Sequence, residues 1–507
     1  MGRNVLAGDS PRLCENSAAL PPNPLPIVDK RPILCGRLWL MQPRGPAGRE
    51  GHMLYGRFLR YLFIPCVAIA ACTTTNGAGT SSTADAVAVG NSCVAPTGLG
   101  TAHSGDITQD TVWRAADGPH TITSNMTIQH GVTLTLEPCA EVRIRAGVSL
   151  SAEGTLLAVG EEGRPIAIAA DDPAQPFAFL TIRSGGFGDF AWVHVSQGAG
   201  ETIGGSGVID VWGPGSNTSA PLELNARLRH VHIDGSEHYG LTLERGGGLT
   251  ADSEDLTITG AKLGAISTRP RLAGTIPAGQ YTGNTLDAIA VIADEAMTTD
   301  TTWRDRGVPY RVGEPNGNGA DFWIGDTAKN APRTVWTLEP GVVVSVGSAG
   351  RITLRTSAFG QPDAGVLVAK GTMAKPIVFT SSAVTPAAGD WRGLVWDGVS
   401  DPADRLEYVH VAYAGGASGA NSFHCSPKGG GAYSANEDAA IALFAQPGGA
   451  FIQNCTFENS GGDGIDLAYS GSAVDFRTSN TFTQIAGCNV TTPRAADGVC
   501  AGAIACP

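Results

Sequence analysis

Aromatic residues make up only 7% of this chain. With 68 glycines among 507 residues, that scarcity speaks against helix bundles and for many short strands joined by tight corners. Basic residues are outnumbered: 34 Lys and Arg stand against 47 Asp and Glu, a formal net charge of −13. A surface of that sign repels phosphate, so nucleic acid is not among the expected partners. No segment of useful length has helical periodicity. Leu286 to Thr298 has the best helical composition, yet its Ile289-Ala290-Val291 suits a strand as well. Long apolar runs are also missing. The one inside Met53–Cys72 has about eleven apolar residues, short of the roughly 20 that a spanning helix needs.

That short run is instead organised as an export signal. Arg57 and Arg60 precede an apolar core, Tyr61 to Ala68, and the segment ends in Ile69-Ala70-Ala71-Cys72. The ending resembles the bacterial lipobox, in which small residues serve the peptidase and the cysteine sulfur receives the lipid. Cys72 is the lipidation site on that reading, and the lipid anchor makes the membrane a partner. Residues 1–52, rich in Pro and Arg, cannot precede a functioning signal and are expected to be a mis-assigned or disordered extension. Residues 73–104 read as a flexible Thr/Ser/Gly/Ala tether. Thr73 stands where Asp would favour inner-membrane retention, so the expected address is the outer membrane or cell surface.

The body repeats itself. Asp110-Thr111-Val112-Trp113 returns as Asp300-Thr301-Thr302-Trp303, and Leu136-Glu137-Pro138 as Leu338-Glu339-Pro340. Arg164-Pro165-Ile166 returns as Lys375-Pro376-Ile377, and Trp192-Val193-His194-Val195 as Tyr408-Val409-His410-Val411. Ordered matches of this kind define a duplication, with segments 105–295 and 296–507. A shorter period lies inside each copy: Ile233 to Ile258, and Phe457 to Phe482, are both steps of 25 residues. Several short strands per step predict an all-β, parallel β-helix solenoid, whose turns bury an apolar face only by stacking. Two antiparallel sandwiches are the competing arrangement.

The Glu-Pro turns, the Arg/Lys-Pro-Ile corners, Asp390-Trp391-Arg392-Gly393 and the late NCTFENSGGDGIDL (Asn454 to Leu467) resemble right-handed parallel β-helix repeat lipoproteins of the pectin-lyase-like architecture. The resemblance covers about residues 105 to 485. It implies the fold and leaves the activity open, because that architecture hosts lyases, hydrolases, epimerases, adhesins and scaffolds. The Asn-Thr-Asp, Gly-His-Gly and Arg-Ile-Lys signatures of polygalacturonase-like hydrolases are missing. So is the repeated Gly-Gly-x-Gly-x-Asp nonapeptide of calcium-bound solenoids. Cys139 departs from the pattern, since the matching turn of the second copy has Gly341. A polar insertion, Gly313 to Thr334, is another departure.

Seven cysteines remain beyond the signal: Cys93, Cys139, Cys425, Cys455, Cys488, Cys500 and Cys506. In an exported chain these are disulfide candidates, and their spacing matches no compact zinc site. Cys93 with Cys139 and Cys425 with Cys455 are the expected pairs, with two of the last three clamping the C-terminus and one thiol left over. Connectivity stays open at this level.

For acid/base work the best carboxylates are Asp463 and Asp466. Glu244 with Asp252, Glu254 and Asp255, and the pair Asp171-Asp172, come next. Their bland reading is corner residues that bond nearby backbone N–H groups. Arg143, Arg145 and Arg183 are expected on outward faces, where an acidic sugar would meet them. His230 and His232 are expected to share an outward face about 7 Å apart, and His194 and His410 to occupy matched places. Trp192, Tyr408, Trp391, Trp396 and Tyr413 are the candidate sugar platforms. No motif calls for a metal or cofactor, although Ca²⁺ would be needed for elimination chemistry. The expected function is a non-catalytic surface protein that contacts polysaccharide, with a polysaccharide lyase or glycoside hydrolase as the alternative. A Ser/Thr-lined sheet favours binding. Three acidic residues beside an Arg or Lys in a groove favour chemistry.

Overall fold

Apolar and polar residues alternate over runs of three to six positions, which puts one face of each strand in the core. Thr133–Leu136 buries Leu134 and Leu136, and Glu141–Ile144 buries Val142 and Ile144. The computed structural model describes residues 92–94, 98–200, 207–215, 221–313, 319–328, 332–356, 364–418, 437–494 and 506, all within the unit Ser82–Pro507. It is all-β, with 48% strand and 2% helix. The signal segment, Cys72 and most of the tether lie outside the described residues. Among the described residues, no helix is long and apolar enough to cross a membrane.

Among the described residues the strands form sheets of 12, 13, 5 and 5 members. Their long ladders are parallel, which rules out the antiparallel sandwiches. The chain visits the sheets in rotation. Thr155–Val159 and Ile166–Ala170 lie in the 12-stranded sheet, and Leu180–Ile182 lies in the 13-stranded one. Phe187–Ser196 then pairs its first half with Thr155–Val159 and its second half with Ile166–Ala170. Gly207–Trp212 returns to pair with Leu180–Ile182. Both 25-residue steps are ladder partners: Ile233 lies beside Ile258, and Phe457 beside Phe482. The two phenyl rings stack 5.1 Å apart.

The corners reuse one backbone conformation. Trp192, His230 and Asp255 have φ of 51°, 52° and 49°, each between paired flanks. Tyr408 and Asn454 do the same in the second half, with φ of 51° and 55°. Left-handed backbone costs roughly 1–2 kcal/mol at a residue with a Cβ. It persists here because the ladders on both sides fix the bend. Cys139 adopts φ 71° where the matching turn has Gly341 at φ 93°. Its bond to Cys93 pins that turn.

The two halves do not continue sheet for sheet. Glu141–Ile144 and Val343–Val346 follow matched Leu-Glu-Pro turns, yet the first belongs to the 12-stranded sheet and the second to the 13-stranded sheet. The link is Ile289–Ile292, which pairs with Gly264–Thr268 on one side and Tyr310–Gly313 on the other. Thus the segment with the best helical composition, Leu286 to Thr298, holds the strand Ile289–Ile292. An aromatic group fills the core beyond it: Trp303 lies 4.7 Å from Tyr310 and 4.9 Å from Trp336, and Phe322 lies 5.2 Å from Trp336. Near the C-terminus Cys488 is bonded to Cys506. Cys455 is a buried free thiol, so the expected bridge to Cys425 is not formed. Cys455 packs beneath the ladder, and its sulfur donates to the carbonyls of Gln453 and Leu406. Cys425 and Cys500 lie outside the described residues.

Candidate functional site

The feature that stands out is a polar column on the 13-stranded sheet. In its first-half strands Leu150, Ala152, Leu180, Ile182, Ile209, Val211, Leu241, Leu243 and Ile266 belong to the core. Between them, in ladder register, stand Thr127, Ser151, Thr181, Asp210, Thr242 and Ser267. Strand alternation puts these six on the side away from the core. All except Thr127 are nonetheless buried.

Asp210 is the centre of the column and is 1% exposed. Its Oδ1 accepts the Gly207 N–H at 2.7 Å, while Oδ2 has no partner. Burial pushes its carboxyl up to about 7, with the nearby Glu244 charge acting in the same direction; the Gly207 N–H and the Thr242 hydroxyl oppose the shift. The Thr181 hydroxyl is buried without a partner as well. One step along the strand, Trp212 is the ladder partner of Glu244. Asn225 ties this region together, its Nδ2 donating to the carbonyls of Trp212 at 3.0 Å and Arg183 at 3.2 Å. Its Oδ1 is buried and unpaired. Glu244 lies 3.8 Å from Arg269, which is held more closely by Asp294 at 2.9 Å.

The second half builds the same positions differently. Its column reads Trp323, Thr353, Val395, Ala442 and Asp466. Val395, Ala442, Phe444 and Ala468 there form a separate apolar cluster. The second-half column is thus interrupted by Val395 and Ala442, which stand between Thr353 and Asp466.

Asp463 and Asp466 are brought close but are both engaged. Asp463 accepts the Cys488 N–H at 2.6 Å, and burial pushes its carboxyl up to about 6. Asp466 is 0% exposed, with both oxygens 2.8 Å from Arg494 Nη2 and one bonded to Thr491. Arg494 also lies 3.6 Å from Glu437. Glu254 and Asp255 face His230, at 4.0 and 2.8 Å, and Asp252 faces Arg227 at 3.2 Å. Asp172 accepts the Ala174 N–H in a turn.

Several expectations need correction. His230 and His232 do not share a face for a metal, because the left-handed bend at His230 turns it away. His230 stacks on Trp192 at 4.1 Å, and His232 stacks on His194 at 4.8 Å. Among the described residues no group of three His, Cys, Asp or Glu is placed to hold a metal ion. Trp391 and Trp396 are core residues whose Nε1 atoms donate to Ala412 O and Asp404. They are no sugar platforms. Trp192, Tyr408 and Tyr413 are half-buried at left-handed corners. Arg143 is paired with Glu141 at 2.8 Å, and Arg145 lies past the strand end. His410 lies 3.2 Å from Glu458.

Sequence reasoning passed over Asp210, Trp212, Thr181, Thr242, Asn225 and Arg245. The signal was Gly207–Trp212, GVIDVW, in which an acid and a tryptophan interrupt a β-branched run two residues apart. Comparison of the chain with protein-family models, curated proteins and solved structures returns no match.

Proposed function

We propose that the chain is an exported protein, lipid-anchored through Cys72, whose body is a right-handed parallel β-helix of two tandem duplicated segments. It acts as a non-catalytic binding or structural protein of the outer membrane or cell surface and contacts polysaccharide. The observation that carries this reading is the pair of long sheets, of 12 and 13 strands among the described residues, whose ladders run parallel. Outward side chains recur along such a sheet at the strand spacing of about 4.8 Å, which suits a polymer of repeated sugar units. Two experiments test it. Radiolabelled palmitate should enter the wild-type chain and not Cys72→Ala, and incorporation in both would sink the anchor. A panel of acidic and neutral polysaccharides should be retained without turnover.

A lyase or hydrolase is the second reading, favoured by one observation. Burial pushes the Asp210 carboxyl up to about 7, with the Glu244 charge acting in the same direction, which is a raised carboxyl near a second one. Reducing ends or unsaturated products that vanish in Asp210→Asn would establish it over the binding reading.

A further inference from the structure

On one arm of the 12-stranded sheet the outer face is apolar and open. The strands Thr111–Trp113, Thr133–Leu136, Thr155–Val159 and Phe187–Ser196 pair there in that order. Trp113, Leu134, Leu136, Leu156 and Ala158 belong to the core. Strand alternation points Val112, Thr135 and Leu157 away from it in one ladder row, with Thr155 and Phe187 on one side and Val159 on the other. Val112 and Val159 are 47% and 38% exposed, and the other four are half-buried. None of the six is charged. The row ends at Asp189, which is buried and paired with Arg227 and Arg229.

Parallel sheets generally have both faces covered. The outer face of the 13-stranded sheet keeps that rule, with Ser151, Thr181 and Thr242 buried. This arm does not, and its composition tells what would cover it. Protein interfaces draw their affinity from Tyr, Trp and Arg anchors, and the six positions hold none. Attraction to a lipid surface grows with apolar area and needs no such anchor. Position selects the same partner. Cys93, at the end of the tether, is bonded to Cys139, three residues past the strand Thr133–Leu136. The tether thus arrives on one of the four strands that carry the patch. Cys72 and Cys93 are 21 residues apart in sequence, a span of at most about 75 Å. With the body held that close to a bilayer, docking becomes an intramolecular step for which a weak patch suffices.

We propose that Val112, Leu157, Val159 and Phe187 form a lipid-docking face that lays the first turns of the stack against the bilayer. Their side chains enter the headgroup boundary, while the ion pair of Arg114 with Glu137, 3.8 Å apart at the rim, stays in water. This inference rests on the anchor at Cys72 and adds which flank meets the membrane.

The full lipidated chain is reconstituted into phosphatidylethanolamine–phosphatidylglycerol vesicles that hold a photoactivatable diazirine phospholipid. Lipid adducts mapped by mass spectrometry are expected on peptides with Val112, Leu157 and Val159, at least fivefold above those on the end strand Thr481–Ile485. High salt should leave that pattern unchanged, because the contact is apolar. Val112→Glu combined with Val159→Glu should lower the patch adducts at least fivefold, while palmitate incorporation and vesicle flotation persist. Val112→Thr, a milder change, should give a partial loss and serves if the double variant does not fold. Adducts spread evenly over the chain, or unmoved by the variants, would overturn the docking face and leave the anchor standing. A chain that neither takes up palmitate nor floats with vesicles would overturn both. The unlipidated Cys72→Ala chain should sediment as a monomer; a dimer that the Glu substitutions dissociate would assign the face to a second copy and overturn the proposal.

Discussion

Asp210→Asn converts the buried carboxyl into a neutral group of the same shape, and its effect should depend on pH. The wild-type carboxyl is held up to about 7 when folded, against about 3.9 in an unfolded chain. The folded state therefore holds the proton more tightly, so the wild type loses stability as pH rises from about 4 to about 7. Above that it loses no more. Three pH units correspond to about 4 kcal/mol at 1.36 kcal/mol each. Asn keeps an oxygen for the Gly207 N–H and carries no charge at any pH. Urea unfolding of both proteins at pH 4.5 and pH 8 isolates the term, because the other acids that burial raises, Asp404 and Asp463 among them, are common to both. The stability difference, variant minus wild type, should become more favourable to the variant by a few kcal/mol at pH 8. A difference that does not change with pH would show that Asp210 does not keep its proton on folding, and the argument for a desolvated column would fail.

Other consequences follow from single contacts. Arg494→Met should destabilise by about 3–5 kcal/mol in urea unfolding, because Asp466 loses its bidentate partner while buried; a loss under 1 kcal/mol would contradict the buried pair. Trp336→Ala should cost about 3–5 kcal/mol by emptying the aromatic core around Trp303 and Phe322, and a neutral result would mean that this core is not packed. Burial pushes the Cys455 thiol up to about 12, so peptide mapping after iodoacetamide should find it alkylated only in denatured protein. Cys93→Ser should destabilise the chain by freeing Cys139 at φ 71°. Cys139→Gly on that background should recover about 1 kcal/mol, since Gly removes the left-handed penalty; no recovery would refute strain at that turn.

The sequence by itself determined the elements and their recurrence. Residue alternation reports which strand face is buried, and a fixed step of 25 residues makes Ile233–Ile258 and Phe457–Phe482 ladder partners in any parallel stack. Composition likewise disclosed that few helices would form. Alternation extrapolates badly through a corner, because one left-handed residue resets which side comes next. That is how His230 and His232 came apart. Only the tertiary structure decided that Ile289–Ile292 joins the halves with a shift of one sheet, since neighbours across the junction are set by stacking and not by local preference. Only it decided, too, that Asp210 would be buried with a free oxygen while Asp463 and Asp466 were already engaged. A carboxyl's proton affinity depends on what surrounds it in space, and the residues that set it for Asp210 come from Gly207, Thr242 and Glu244, on its own strand and the one beside it.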